Sequence, residues 1–294
     1  MKKYDLIIAS GATICYNKLA KDFCAFKTGG KIERLIMPNS VSNMIVSLKN
    51  AETPIVFGGT TNSLISDNGL FGDVIVTTNV KGIQVDGNKI TANAGESLAK
   101  VCNIAKENCL SGMEELSGIP GTIGGAVCMN AGAFGRFISN ILISAEVYTD
   151  GKVIILSNEE CGFSYRSSLF GKSDMVVLSA TFELQPSNGL LISNNMKLYK
   201  NKRRQSQPND ISLGSVFKKY DNNGAGYYIE NCGLKGITIG GCKVSEKHAN
   251  FIVNCGNANS TDYAKLVNLC SDKVYEKYNI RLEREVKYFG EFIF

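Results

Sequence analysis

Gly118-Ile119-Pro120-Gly121-Thr122-Ile123-Gly124-Gly125, followed by Asn130-Ala131-Gly132-Ala133-Phe134-Gly135, is the most informative stretch of this chain. With Gly112 it puts seven glycines between positions 112 and 135, in a chain of 294 residues that holds 30 glycines and only five prolines. Glycine costs chain entropy and gathers where the backbone must turn sharply or approach a ligand closely. Backbone N–H groups in such a run can cradle a diphosphate without any charged side chain. The same run can be a set of tight turns and bulges between strands, and spacing alone leaves both readings open. Known nucleotide fingerprints do not match: G-x-G-x-x-G is absent, and Gly171-Lys172-Ser173 fails as a P-loop because Arg166 stands where its first glycine belongs. A second loop, Gly58-Gly59-Thr60-Thr61-Asn62-Ser63, follows the strand-like Pro54-Ile55-Val56-Phe57 and offers N–H groups and hydroxyls without bulk. Two such loops in one domain point to a single extended dinucleotide.

Outward from these loops, Val41, Met44, Ile45 and Leu48 follow helical spacing behind Pro38-Asn39-Ser40, and Leu98, Val101, Cys102, Ala105 and Cys109 form a second helical stripe. Asp73-Val74-Ile75-Val76-Thr77-Thr78 reads as a strand. Turn chemistry predicts two hairpins, around Asp86-Gly87-Asn88 and around Asp150-Gly151, and both favour antiparallel sheet, which resumes at Met175-Val176-Val177-Leu178. Pro186-Ser187-Asn188-Gly189 and the basic Lys200-Asn201-Lys202-Arg203-Arg204 mark a domain junction. Beyond it, Tyr263, Leu266, Val267, Cys270 and Val274 form a stripe behind Ser260-Thr261-Asp262, so a long capped helix is expected there.

Composition narrows the function. Lys plus Arg is 32 and Asp plus Glu is 27, so the net charge of +5 is too small for charge-driven nucleic-acid binding and suits an anionic small molecule. Ten cysteines without a C-x-x-C pair are not a zinc pattern, and a lone His248 disfavours histidine metal sites and His-based nucleophilic relays. No metal site is expected. Met1-Lys2-Lys3-Tyr4-Asp5-Leu6-Ile7-Ile8-Ala9-Ser10 faintly imitates a signal peptide, but Asp5 interrupts it. No apolar run approaches the roughly 20 residues of a membrane span. A reduced cytoplasmic protein with core cysteines and no membrane insertion is expected.

In order along the chain, Gly118 to Ala126, Met129-Asn130-Ala131-Gly132-Ala133-Phe134-Gly135, Tyr165-Arg166-Ser167-Ser168, Gly214-Ser215-Val216-Phe217-Lys218 and Leu282-Glu283-Arg284-Glu285-Val286 resemble the UDP-N-acetylenolpyruvoylglucosamine reductase (UDP-N-acetylmuramate dehydrogenase) family. The likeness runs from about Phe26 to Glu291. It implies an α+β protein: an FAD-binding region of the vanillyl-alcohol-oxidase (PCMH) type over residues 1–195, itself two α+β subdomains split near residue 80, and a smaller C-terminal α+β substrate domain over 196–294. The short connection from Arg166 to Ser215 looks like the subclass without an extra substrate-covering loop. The implied reaction is NADPH-dependent reduction of the UDP-sugar's enolpyruvyl group through non-covalent FAD, in peptidoglycan precursor synthesis, by a monomer.

Such a reduction develops negative charge beside the substrate carboxylate, so it needs fixed positive groups and a proton donor. The resemblance assigns Arg166 and Glu285 to that charge and Ser215 to the proton. A guanidinium fork suits a carboxylate, while a serine is a poor acid near pH 7 and needs a polarised network. Glu283, two residues from Glu285, competes for the same role by strand periodicity. For the cofactor the resemblance points to Gly58, Gly59, Thr60, Thr61, Asn62, Ser63, Gly118, Ile119, Pro120, Gly121, Thr122, Gly124, Gly125 and Asn130. For the substrate it points to Tyr165, Arg203, Arg204, Lys218 and His248. Two departures stand out: Lys219-Tyr220 replaces the family's usual Asn-Pro, and Thr60-Thr61-Asn62-Ser63 replaces its usual Gly-Ser-Asn-Leu. An oxidase of the same fold, a binding module without chemistry and a nucleic-acid binder using Lys200 to Arg204 are the competing readings. The ordered motifs, the intact Arg166, Ser215 and Glu285, and the absence of interleaved aromatics argue against them in turn.

Overall fold

The computed structural model of the chain describes residues 3–292. Met1 and Lys2, where the signal-like reading begins, lie outside the described residues; Lys3–Ala9 is a short helix that buries Ile7. The chain forms two compact units. The first takes residues up to Cys15, Leu35–Gly59 and Asp73–Arg203; the second takes Tyr16–Arg34, Thr60–Gly72 and the chain from Arg204 onward. The sequence suggests one cut after residue 195, whereas the contacts interleave the units, with Thr13–Leu19, Lys31–Met37 and Leu70–Val76 carrying the chain from one to the other.

In the first unit a five-stranded sheet runs in the order Lys152–Ser157, Leu142–Thr149, Val176–Glu183, Lys89–Asn93, Ile83–Asp86, antiparallel throughout. Both expected hairpins are present. Thr149 pairs with Lys152, so Asp150 and Gly151 are the whole loop, at φ 48° and 75°. Two positive φ values match the right-handed twist of the flanking strands, which is why Asp-Gly sits there. Helix Leu98–Glu107, capped by Ser97, lays Leu98, Val101, Cys102 and Ala105 into a core with Ile90, Phe182 and Leu184. Cys109, assigned to that stripe by spacing, falls past the helix end with φ 56° and is exposed. A separate core gathers Ile7, Ile36, Met44, Leu48, Ile75 and Val80 with Tyr148 and Leu178. Helix Val41–Asn50 supplies part of it, capped by the Ser40 hydroxyl. Ile55–Phe57 pairs with Leu70–Val76 in parallel.

The basic stretch read as a junction does hold the change of unit, between Arg203 and Arg204, and it is also the C-terminal part of an 18-residue helix, Gly189–Ser206, in which Ile192 is the one buried residue. One buried position gives a helix little amphipathic signal, and polar composition then reads as linker.

The second unit holds a sheet in the order Ser212–Ser215, Phe251–Asn254, Cys242–Val244, Thr238–Ile239. Helix Ser260–Tyr278 buries Tyr263, Leu266, Val267, Cys270 and Val274 as its stripe predicts; its cap is Asn259, whose side chain accepts the Asp262 N–H, not a residue of Ser260-Thr261-Asp262. Phe26 and Leu64 enter the same core, and Lys287–Phe289 pairs in parallel with Ser63–Ile65. Cys24, Cys102, Cys161, Cys242 and Cys270 are buried; burial pushes the thiols of Cys102, Cys242 and Cys270 up to about 12 and Cys161 to about 11. Among the described residues no helix is long and apolar enough to cross a membrane.

Asp67 ties the early segments of this unit to its long helix. Its carboxylate accepts the Gly29 N–H at 3.0 Å, the Ser260 N–H at 2.5 Å and the Ser260 hydroxyl at 2.8 Å, while its own N–H donates to that hydroxyl at 2.9 Å. Asp67→Ala leaves those donors unpaired and should lower the unfolding free energy by about 2–4 kcal/mol. Urea titration followed by circular dichroism measures it; an unchanged midpoint contradicts the assignment.

Candidate active site

In the first unit the two glycine loops run against one another. A Cβ built on Gly58 would overlap the Thr122 hydroxyl, and one on Gly59 would lie 3.4 Å from the Gly121 Cα. That hydroxyl caps helix Ile123–Cys128 by accepting the Gly125 N–H at 3.4 Å. Leu98 N–H donates to Gly121 O at 3.1 Å, Ile123 N–H to Glu96 O at 2.8 Å and Gly124 N–H to Ala94 O at 2.9 Å, so the loop is fastened along segment 94–98. Ile119 N–H is likewise used, by Leu116 O at 2.9 Å. Of the cofactor residues expected here, Ile119, Gly124 and Gly125 therefore have their N–H groups engaged within the protein. Gly118, Gly121 and Thr122 have N–H groups with no protein acceptor among the described residues. Three open donors on a backbone held without side chains suit the phosphates of a dinucleotide.

Beside this loop the chain makes a tight turn. Ser164 N–H donates to Ser167 O at 2.9 Å and Ser167 N–H to Ser164 O at 3.2 Å, leaving Tyr165 and Arg166 as the two central residues. Arg166 has φ 54°, a conformation that turns normally give to glycine or asparagine. The buried Asn130 side chain braces the turn: its amide donates to Ser164 O at 3.1 Å and its carbonyl accepts the Ser139 N–H at 3.0 Å. Asn130 thus enters as a brace, with both side-chain groups occupied. Arg166 Nη1 donates to Gly132 O at 3.0 Å, and its guanidinium lies 5.5 Å from the Tyr165 ring. Arg203 lies beside Gly118, where a Cβ would come within 3.1 Å of its Cδ. Burial, and then the like charge of Arg166, lower the Arg203 pKa from its ordinary value. Two guanidiniums in one half-buried neighbourhood repel each other and are relieved by an anion.

In the second unit Ser215 ends strand Ser212–Ser215, and the register with Phe251–Asn254 slips between Ser212 and Ser215, at Gly214 with φ 78°. Val216 O accepts the Glu285 N–H at 2.8 Å, so the two residues expected to act together flank one hydrogen bond. Glu285 is half-buried, whereas Glu283 is exposed and takes Lys218 Nζ at 2.5 Å, Lys218 N–H also donating to Glu283 O. Periodicity put both glutamates on one strand face; the regular strand begins only at Lys287, and the chain before it sorts them. Asn62 donates from its side chain to Glu285 O at 3.2 Å and the Thr60 hydroxyl accepts the Ala25 N–H at 2.8 Å, so both side chains also hold the fold.

His248 is half-buried against Phe251, ring centroids 4.9 Å apart. Burial and then Lys235 lower its pKa, and its Nδ1 accepts the Asn250 N–H at 3.2 Å. Lys247 Nζ donates to the carbonyl of Arg204, an exposed residue near the end of helix Gly189–Ser206. After Lys219-Tyr220 the loop closes on Asp221, which accepts the Asn223 and Gly224 N–H groups and the Tyr228 hydroxyl. Asn250 is the residue that sequence reasoning passed over: its Oδ1 accepts the Phe217 N–H at 3.0 Å and its Nδ2 donates to Phe217 O at 2.9 Å. Its place in Lys247-His248-Ala249-Asn250-Phe251, between a histidine and a strand, was the only available signal.

Residues 35–157 match the FAD binding domain family model, and residues 207–289 match that of the UDP-N-acetylenolpyruvoylglucosamine reductase C-terminal domain. The chain is 40% identical over 281 residues to a UDP-N-acetylenolpyruvoylglucosamine reductase of Caldanaerobacter subterraneus, covering 94% of this chain and 93% of that one. It is 39% identical over 297 residues to the reductase of that name from Lactococcus lactis, covering 99% of both. Among solved structures, UDP-N-acetylenolpyruvylglucosamine reductase from Thermus caldophilus superimposes with a TM-score of 0.83 at 30% identity, over 95% of this chain and 99% of that chain.

The left-handed backbone of Arg166 carries a cost that glycine does not. Arg166→Gly and Arg166→Ala both remove the guanidinium, so their difference isolates the turn: the glycine variant should be more stable by about 1 kcal/mol. Equal thermal unfolding of the two variants contradicts strain at this position.

Proposed function

Because this chain belongs to the UDP-N-acetylenolpyruvoylglucosamine reductase family, we propose that it reduces the enolpyruvyl double bond of UDP-N-acetylenolpyruvoylglucosamine with NADPH, giving UDP-N-acetylmuramate for peptidoglycan synthesis in the cytoplasm. Bound by the two glycine loops, FAD would supply the hydride relay between NADPH and the enolpyruvyl methylene carbon. The open N–H groups of Gly118, Gly121 and Thr122, with the side-chain-free contact at Gly58 and Gly59, fit a flavin dinucleotide held by backbone. Thr61 and Ser63 add hydroxyls to this set, and Pro120 fixes the bend between Ile119 and Gly121.

The observation that carries the reading is the turn at Tyr165-Arg166, where a strained backbone presents a guanidinium beside that of Arg203. Strain of this kind persists where the surroundings over-determine it, and it gathers at working sites. Arg166 grips the substrate carboxylate through two N–H donors and stabilises the charge that grows there as hydride arrives. Ser215 gives its hydroxyl proton to the carbon bearing that carboxylate, so hydride and proton complete the saturated lactyl ether. A serine can do this only in a polarised setting, and Glu285, whose N–H meets the carbonyl of the residue after Ser215, is the carboxylate assigned to supply it. Glu283 is left out because it holds Lys218. Lys218, Arg203 and Arg204 answer the UDP diphosphate, with Tyr165 and His248 as further substrate contacts. One chain supplies every group named, so a monomer suffices.

The purified protein should be yellow and should oxidise NADPH rapidly only when UDP-N-acetylenolpyruvoylglucosamine is present; NADPH oxidation indifferent to that sugar overturns the assignment. Ser215→Ala should keep reduction by NADPH within about twofold and slow reoxidation by the sugar about 100-fold or more. Equal loss in both half-reactions contradicts the proton-donor role. Gly58→Ala should purify with less than half the flavin of the wild type, since its methyl group displaces the Thr122 hydroxyl; full flavin content removes Gly58 from the cofactor site.

A further inference from the structure

The serine assigned to proton delivery sits where its strand stops being a regular strand. Ser212 pairs with Val253 and Ser215 with Phe251, so three steps on one strand answer two on the other, and Gly214 at φ 78° absorbs the extra residue. A bulge of this kind re-aims the side chain that follows it. Strand Phe251–Asn254 begins at Phe251, so beyond Ser215 no regular ladder remains to fix the new direction.

Asn250 takes over. Its backbone carbonyl accepts the Val216 N–H at 2.8 Å, and its side-chain amide grips Phe217 at both ends, accepting the N–H at 3.0 Å and donating to the carbonyl at 2.9 Å. The side chain is buried and imitates one more strand residue. Its own N–H is held by His248 Nδ1 at 3.2 Å, which requires the ring to be neutral on that nitrogen. On the other side of the segment Val216 O accepts the Glu285 N–H.

We propose that Asn250 is a positioning residue: by holding both backbone groups of Phe217 its carboxamide fixes the segment after the Gly214 bulge, and so aims the Ser215 hydroxyl and keeps Glu285 in register with it. The proposal rests on the proton-donor reading of Ser215. Asn250 touches no reacting atom, and its effect is confined to the half-reaction that needs the Ser215 proton.

Asn250→Asp tests this, because it keeps the acceptor for Phe217 N–H and makes the donor to Phe217 O depend on pH. As a carboxylate the new side chain repels that carbonyl; protonated, it restores the donor. The charged and titratable groups around it are His248 in its own segment, Lys235 and Glu230 near that ring, and Lys218, Glu283, Arg284 and Glu285 along the chain beside Val216 and Phe217, Arg284 being bridged to Phe217 itself. These are common to variant and wild type, so the ratio of their rates is the readout.

In the FAD-loaded enzyme at pH 8, reoxidation by the UDP-sugar should fall about 10- to 100-fold, with NADPH reduction within about twofold of wild type. The variant-to-wild-type ratio for reoxidation should climb as pH falls through the carboxyl range, which burial raises. A ratio flat with pH, or equal loss in both half-reactions, overturns the proposal. If the aspartate variant does not fold at pH 8, Asn250→Ser supplies the second point: a loss confined to reoxidation supports positioning, and a loss shared by both steps refutes it. Ser215→Ala run alongside separates the two levels. If it reoxidises at the wild-type rate, the proton-donor reading falls and this proposal with it; if it is slow while Asn250→Asp is not, only the positioning role falls.

Discussion

Position 58 has no room for a methyl group, and much of the first unit follows from that. The backbone there lies against the Thr122 hydroxyl, which caps helix Ile123–Cys128, and the chain just before that cap is hydrogen-bonded along residues 94–98. The far end of the same helix is gripped by the Ser168 hydroxyl at Cys128 O, 2.7 Å, beside the turn that carries Arg166. One close approach thus sets the loop, the loop sets the helix, and the helix end anchors the segment with the guanidinium. Side chains in the two loops would separate the layers; their absence lets backbone meet backbone.

The same unit holds backbone strain close to the Arg166 turn. Asn130, Phe134 and Arg166 all have positive φ, at 43°, 52° and 54°, although none is glycine. Each such residue costs free energy, and each here is held by neighbours: Asn130 by Ser139 and Ser164, Phe134 by its stack on Tyr199 at 5.2 Å, Arg166 by the paired serines around it. Dense local bonding keeps a few side chains aimed in directions that relaxed turns would not provide.

What the sequence disclosed was local. Asp150-Gly151 specifies its turn through two residues, Ser40 and Ser97 announce helices by capping chemistry, and the stripes of Leu98–Glu107 and Ser260–Tyr278 carry their own period. The ordered motifs singled out Arg166, Ser215 and Glu285 as the residues on which the proposed function rests. Pairings across long sequence distances stayed hidden: Asn62 with Glu285 across 223 positions, Asp67 with Ser260 across 193, Asn250 with Phe217 across 33. A side-chain amide that completes another segment's ladder has no period and no neighbour to betray it. Gly124 and Gly125 looked like donors for a ligand because glycine content does not say which N–H groups a fold has already used. Helix Gly189–Ser206 went unseen because one buried residue leaves no stripe to read.

The interleaving of the two units also orders events during synthesis. Ser63–Ile65 is made long before its parallel partner, Lys287–Phe289. The strand edge at Ser63–Ile65 therefore waits, with Leu64 and Ile65 unpaired and apolar, until the whole stretch between the two strands has been made. Pairing across so great a separation is slow, and exposed edges invite association with other chains. The first unit, which needs nothing beyond Arg203, can finish while the rest is still being made.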